Sequence, residues 1–453
     1  MKLWQKHEFF KIKKKNYQKF WRHFNICVSI AKRILVQNPK HTIYFIVNEP
    51  FEKKVKKISP LFQTIRIKQE DEEIFNSILK NPESFKENFY YHGERRYIAN
   101  INILDSFQKF YQKVEKGFNE IIHNLQPDFI LVDSIINLPF TEDKNIPWGM
   151  ITSANPLLCQ DLNNLPPSMS GLSTINDQEL IEKYKDLRTD LSLFKNRKIW
   201  YEKNNLATSD NFSIVNGSNY INLFTYPKYT SYFNPNNIVG KWFAVNHGIL
   251  DEKTEKKFQS LSKDFKQEII KYPGVDLLTP EFLSNSGKLI LISLGTMVTL
   301  FPDVINNLLE HVKDIPHKFI VSGGISFDKL KLPENCIGAP YLDQQQLYPK
   351  VDLVITHGGN NTFCELFYYG VKMILIPHFG DQPDNGKRVE DLKIGVQLDL
   401  IDLSLEKLSN AINYVLYNED IKEKMKIASM MSKDNENFDK FINELDMYLL
   451  KKK

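Results

Sequence analysis

The sequence predicts an α/β protein of two domains, the second built on a parallel sheet, and three observations carry that prediction. A chain of 453 residues is too long for one hydrophobic core and suits two domains of roughly 200 residues each. Leu353, Val354, Ile355 and Thr356 form a short run of strand formers. They meet a turn cluster, His357-Gly358-Gly359-Asn360-Asn361, and then a helix that opens at Thr362 and closes at Gly370. A second buried strand over 373–376 follows, and Pro377 ends it. In such a strand, turn, helix, strand unit the turn lies at the carboxyl end of a parallel strand.

Composition narrows the class further. Hydrophobic residues at 42% and charged residues at 25% exclude a disordered chain. A net charge of +4 is small for this size and gives no reason to expect nucleic acid as a partner. Cys27, Cys159, Cys336 and Cys364 are widely spaced without a metal-ligand pattern, so they read as packed, reduced thiols of a cytoplasmic protein. Charges interrupt every apolar run near the N-terminus before a signal segment could form. The longest largely apolar stretch, 289–301, is too short to span a bilayer, so no transmembrane anchor is expected. The lysine-rich segment 11–19 reads as a solvated or membrane-surface patch, and Lys451-Lys452-Lys453 as a solvated tail.

Taken in order, Ile26, Ile30 and Ile34 recur beside Cys27, Ala31 and Leu35 and mark an amphipathic helix, followed by a strand over 42–47. Residues 107–125 read as a helix and 127–134 as a buried strand that ends in Asp133, an acid that could also merely cap a turn. Residues 147–152 read as a strand, with a turn over 153–156. From 163 to 213 the chain is polar and irregular apart from a helical stretch near 178–185, and 220–225 returns to a core strand. A domain boundary falls between 237 and 286, with a charged, helix-like segment over 253–271 as linker or surface. A strand over 288–296 runs into Ser293-Leu294-Gly295-Thr296, a second glycine turn. Then come a helix over 302–312, strands over 318–322 and 336–339, and, after the unit described first, helices over 404–417, 420–431 and 438–450.

The chemistry concentrates at the turn after Thr356. Two glycines let the backbone approach a ligand closely, while His357 and Asn361 add donors beside the outward-facing amides of a new helix. A diphosphate is the natural guest. The alternative is local: Thr362-Phe363-Cys364-Glu365 also fits a capping box, in which Glu365 would only satisfy the first helical turn.

The stretch 340–385, PYLDQQQLYPKVDLVITHGGNNTFCELFYYGVKMILIPHFGDQPDN, resembles the signature segment of the UDP-glycosyltransferases, glycosyltransferase family 1. HGGNNTFCE stands where the family has H-x-G-x-N-[ST]-x-x-E, Gly370-Val371 where it has G-V-P, and Asp381-Gln382 where it has a D-Q pair. The resemblance implies the GT-B architecture, two Rossmann-like doubly wound domains with an interdomain cleft. The N-terminal domain (1–237) would bind acceptor, a linker (238–286) would lead to the UDP-sugar-binding domain (287–435), and a last helix (436–453) would pack back on the first domain. Tyr341 and Gln344 would then meet the uridine, His357, Gly359, Asn361 and Thr362 the diphosphate, Glu365 the ribose, and Asp381 with Gln382 the sugar. Ser293, Gly295 and Thr296 would reach the diphosphate from the other side. Tyr341 replaces the family's uracil-stacking tryptophan, Asn360 a tryptophan of plant members, and Lys372 a proline; tyrosine can still stack.

The family's catalytic histidine sits in a G-H-x-N turn after the first strand, and its counterpart is Arg22-His23-Phe24-Asn25. Residues 9–20 would be that strand, although their lysines suit a buried strand poorly. His23 would be the general base, with Asp133 fixing its tautomer. The implied reaction moves a hexose, expected to be glucose, from UDP-sugar to a hydroxyl of a small lipophilic acceptor with inversion. No D-x-D motif is present, so no metal and no cofactor beyond the UDP-sugar co-substrate is expected. Arg22 and the lysine-rich strand leave open a non-catalytic relative that binds UDP-sugar while its acceptor half has decayed.

Overall fold

The computed structural model describes residues 2–4, 22–47, 49–66, 82–134, 146–160, 164–203, 213–232, 240–261, 272–284 and 287–450. The first sheet has seven strands in the order β3-β2-β1-β4-β5-β6-β7. They are β1 Lys2–Trp4, β2 Ile43–Val47, β3 Phe62–Arg66, β4 Ile130–Asp133, β5 Trp148–Thr152, β6 Ile221–Thr225 and β7 Lys241–Val245. The second sheet has six, in the order β10-β9-β8-β11-β12-β13. They are β8 Leu289–Ser293, β9 Lys318–Ser322, β10 Cys336–Ala339, β11 Leu353–Thr356, β12 Lys372–Leu375 and β13 Gly395–Gln397. All the pairings are parallel. Strands β4, β6, β8 and β11 are buried at every position, as expected where helices cover both faces of a parallel sheet.

Two sequence expectations need correcting. The first strand is Lys2–Trp4, pairing Leu3 with Phe45 on one side and Leu131 on the other, and not the run 9–20. A central strand in a sheet covered on both faces cannot carry a run of lysines. Residues 9–20 lie outside the described residues. The helix after them begins at Arg22, so His23 occupies a first helical turn rather than a tight strand-to-helix bend. The His23 side chain is also outside what is described.

The linker expected over 238–286 also starts later. Strand β7 extends the first sheet beside β6, and the helix Glu252–Ser260 packs on the helix Arg22–Gln37. Lys32 reaches Glu255 at 2.7 Å and Arg33 reaches Asp251 at 3.0 Å across that contact. The first domain therefore runs to at least Ser260. The four cysteines are buried and unpaired. Among the described residues no helix is long and apolar enough to cross a membrane.

The last helix, Glu436–Leu450, lies on the first domain. Phe438, Phe441, Ile442, Leu445 and Leu449 form one stripe, buried in the same core as Phe45, Leu223 and Phe243. Burial of that stripe contributes roughly 1.5–3 kcal/mol per side chain. Its rim is polar, with His41 Nε2 2.6 Å from Asp446 and Lys241 Nζ 2.7 Å from Glu444.

Candidate active site

Strands β8 and β11 are neighbours, and Thr356 stands opposite Ser293 at their carboxyl ends. Two glycine turns therefore converge at one place. The Thr356 hydroxyl donates to Ser293 O at 2.8 Å, and Thr356 Oγ1 lies 3.2 Å from His357 Nδ1. With the hydroxyl proton on the carbonyl, the tautomer that suits this contact has His357 Nδ1 as the donor to Thr356. A Cβ on Gly295 or on Gly359 would lie 2.5 Å from His357 Nε2. Both positions are glycine because the imidazole fills the space a side chain would need. Gly295 also has φ +80°, a conformation other residues adopt only with strain.

The signature helix spans Asn360–Tyr369, with Gly359 at its start, two residues earlier than the sequence suggested. Gly370 closes it at φ +70°, as expected. The earlier start removes Glu365 from any capping box. Its Oε1 accepts from Gln345 Nε2 at 3.2 Å, and the Tyr348 hydroxyl lies 3.1 Å from Oε2 and 3.0 Å from Gln344 Oε1, one proton serving two acceptors. Gln344 Nε2 in turn donates to Ser293 Oγ at 2.9 Å. This chain of bonds holds Glu365 and Gln344 in place before any ligand arrives. Thr362, expected to meet the diphosphate, is fully enclosed, and its hydroxyl has no hydrogen-bond partner among the described residues. Asn360 Nδ2 donates to Thr225 O at 2.8 Å and ties the helix start to β6 of the first domain.

Ser293, Gly295, Thr296, Tyr341, Gln344 and Glu365 line one cavity of about 280 Å³, which Asn25 of the helix Arg22–Gln37 borders from the first domain. Tyr272, which sequence reasoning missed, also lines it, its ring centroid 5.8 Å from that of Tyr341. Burial raises the phenol pKa of both tyrosines. Nothing in the charged sequence before Tyr272 signals its place; Asp343 N donating to Pro273 O at 2.8 Å brings it there.

The remaining expected residues are not in the lining of that cavity. Gln382 Oε1 accepts from the amides of His378 and Phe379 at 3.0 and 3.3 Å, which shapes the loop it belongs to. Asp381 Oδ2 accepts from Asn155 N of the first domain at 2.7 Å. In the first domain, Asp133 is buried at the end of β4 and accepts from Ser153 Oγ at 3.0 Å. The Cys27 thiol lies 3.9 Å from the same carboxylate, and burial with that negative charge raises its pKa well above the usual thiol range. Cys27 is one turn after position 23, so the two positions share a helix face. Ser153 and Asn155 were read only as turn residues.

Solved structures that cover nearly the whole chain place this architecture in a known class. A UDP-glucose: anthocyanidin 3-O-glucosyltransferase in complex with UDP superposes with a TM-score of 0.63 at 13% identity, covering 99% of this chain and 98% of that one. The calicheamicin glycosyltransferase CalG4 gives 0.62 at 14% identity, covering 99% and 98%. The fold is the GT-B fold. Residues 277–443 match the family described as "UDP-glucoronosyl and UDP-glucosyl transferase". An uncharacterized UDP-glucosyltransferase, YdhE of Bacillus subtilis, is 28% identical over 36% of this chain and 42% of its own length. Mouse UDP-glucuronosyltransferase 1A6 is 33% identical over 35% of this chain and 31% of its own. The chain thus spans less than half the length of these curated relatives, through its second domain. Through that domain it is similar to the UDP-glycosyltransferase family.

Proposed function

We propose that the chain is a metal-independent, inverting UDP-glycosyltransferase that moves glucose from UDP-glucose to a hydroxyl of a small lipophilic acceptor. The observation that carries this reading is the cavity in which Tyr341, Gln344, Glu365 and the Ser293–Thr296 turn meet Asn25 of the opposite domain. Tyr341 supplies a face for uracil and Glu365 two acceptor oxygens for vicinal ribose hydroxyls. The diphosphate lies against the amides that open the helix at Asn360, with Asn361 beside them, a helix end that favours an anion by roughly 0.3–2 kcal/mol. His357 already donates through Nδ1, so donation to phosphate through Nε2 makes it an imidazolium, a cation at the leaving group. Asp381 and Gln382 take the sugar hydroxyls.

In the transfer step the acceptor oxygen bonds to the anomeric carbon as the bond to the UDP oxygen breaks, and the bonding electron pair leaves on the diphosphate. The acceptor proton passes to His23, with Asp133 behind it, a contribution of about 10²–10⁴-fold. Positions 23 and 27 share a helix face, and Cys27 Sγ lies 3.9 Å from Asp133, which supports that pairing. The acceptor half loses its main sign of decay once the lysine-rich run is not the central strand.

Titration calorimetry with UDP, then mass spectrometry of products from UDP-glucose and a panel of phenols and lipophilic alcohols, tests the reading. Heat with UDP and a mass gain of one hexose, unchanged by EDTA, are expected. Binding of UDP with no product from any acceptor would overturn the transferase reading. Activity restored only by Mn²⁺ or Mg²⁺ would overturn its metal independence.

A further inference from the structure

The helix Gln382–Asp391, together with Asp381 just before it, turns one face toward the other domain. Residues 381, 384, 385, 388 and 391 recur on that face. Asp381 accepts from Asn155 N at 2.7 Å, and Asn385 Oδ1 accepts from Asn155 Nδ2 at 2.9 Å and from the Tyr226 hydroxyl at 3.1 Å. Arg388 Nε donates to Thr230 O at 2.7 Å, and Asp391 accepts from Ser173 Oγ at 2.8 Å and Thr174 N at 3.2 Å. Asp384 is at the centre. It is fully buried, and it accepts from Met169 N at 2.6 Å and from Gly171 N at 2.8 Å.

The receiving loop is shaped for that carboxyl group. Met169 has φ +70° and Gly171 φ +65°, so two left-handed residues aim their amides at one point, a backbone nest for an anionic or acidic group. A left-handed methionine is strained and persists only where its surroundings hold it. Contact is close: a Cβ on Gly171 would lie 2.8 Å from Pro383 Cβ. Burial, opposed by the two amides and aided by the charge of Asp381, raises the Asp384 carboxyl to about 8. Whether ionised or neutral, each of its oxygens keeps a lone pair, so both amides stay served.

We propose that Asp384 is a positioning residue for glycosyl transfer: docked in the Met169–Gly171 nest, it clamps Asn155 and residues 164–174 of the acceptor domain onto the helix that begins at the sugar-binding pair Asp381-Gln382. The role rests on the transferase reading above, whereas the clamp itself does not. A sugar held at the start of this helix and an acceptor held by the first domain meet only if the two bodies keep a fixed spacing. Asp384 sets that spacing from three residues away without touching either substrate.

The test is the isosteric Asp384→Asn, whose amide nitrogen has no lone pair for the second N–H. Hydrogen exchange of the 164–174 loop, with transfer kinetics and UDP calorimetry, reads the outcome. Exchange at Met169 and Gly171 is expected to rise at least about tenfold and kcat to fall about tenfold or more, while the Kd for UDP stays within about twofold. Unchanged protection of the two amides, or an unchanged kcat, would overturn the proposal. So would UDP affinity falling in parallel with kcat, which marks general damage to the fold. Should Asp384→Asn fail to fold, Gly171→Ala, which presses a methyl on Pro383, must produce the same rise in exchange. If the wild type transfers to no acceptor, the transferase reading fails and exchange alone decides the clamp.

Discussion

The two halves of the site are built on different principles. In the second domain the cavity proposed for the donor is made by adjacent strand ends and the turns that leave them, with Ser293 opposite Thr356 in register and one imidazole filling the gap between two glycines. In the first domain Asp133 sits at a strand end, and its recorded partners, Ser153 and Cys27, arrive from a different strand end and from a helix 106 residues away. A site made of neighbouring turns is specified by a contiguous stretch of sequence. A site made of distant elements is specified by packing.

That contrast predicts separable defects. Asp133→Asn is expected to lower transfer by about 10²–10⁴-fold with UDP affinity unchanged, read by comparing kcat with calorimetric Kd. If the two fell together, the halves would be one unit and the contrast would break. Gly295→Ala puts a methyl 2.5 Å from His357 Nε2 and strains φ +80°. UDP affinity should weaken about tenfold or more while Asp133 and its partners are untouched; a variant that binds UDP normally would show that the imidazole has other room. A smaller effect sharpens the donor half alone. If His357 becomes an imidazolium on meeting the diphosphate, UDP binding takes up as much as one proton, so calorimetric enthalpies should differ between buffers of unequal ionisation heat. Equal enthalpies would contradict the tautomer inferred from Thr356.

The smallest expected effect concerns the seam between the halves. His378 is fully buried against Phe89, and neither ring nitrogen has a partner among the described residues. Burial, reinforced by Arg96 and opposed by Asp399, lowers its pKa to about 3. The folded protein thus binds this proton less tightly than the unfolded chain does. Stability from this group is complete above about pH 6.5 and is lost as pH falls toward 3. His378→Leu should flatten that acid slope and raise the melting midpoint at pH 5 by a few degrees, since it also removes two unsatisfied atoms. An unchanged acid slope in thermal melts would assign acid lability elsewhere.

Much of the second domain could be read directly. The helix Pro302–Val312 and strands β9 and β10 fall where residue pattern places them, because each is a short apolar run with clear punctuation. The glycine turns and Glu365 were legible for the same reason, a motif whose members lie within one turn of chain. Strand β1 was not, since three residues carry too little pattern and the lysines after them drew attention away. Asn155 and Asp384 were invisible for a deeper cause. Asn155 meets Asp381 across 226 positions and Asp384 meets Met169 across 215, and no local periodicity encodes such pairs. At Glu365 the structure removes the local alternative: its spacing fits a cap, yet the tertiary partners Gln345 and Tyr348 hold it instead.

The seating of the final helix has a mechanical consequence. The chain leaves the first lobe after Ser260 and returns to it before Glu436, where Asn246 Nδ2 grips Met431 O and Asp434 O at 3.1 and 3.2 Å. Two bodies joined by a single tether can roll and twist freely, but a pair of tethers works like the pins of a door. Rotation about the line between them stretches neither connection, whereas rotation in any other sense must stretch one or the other.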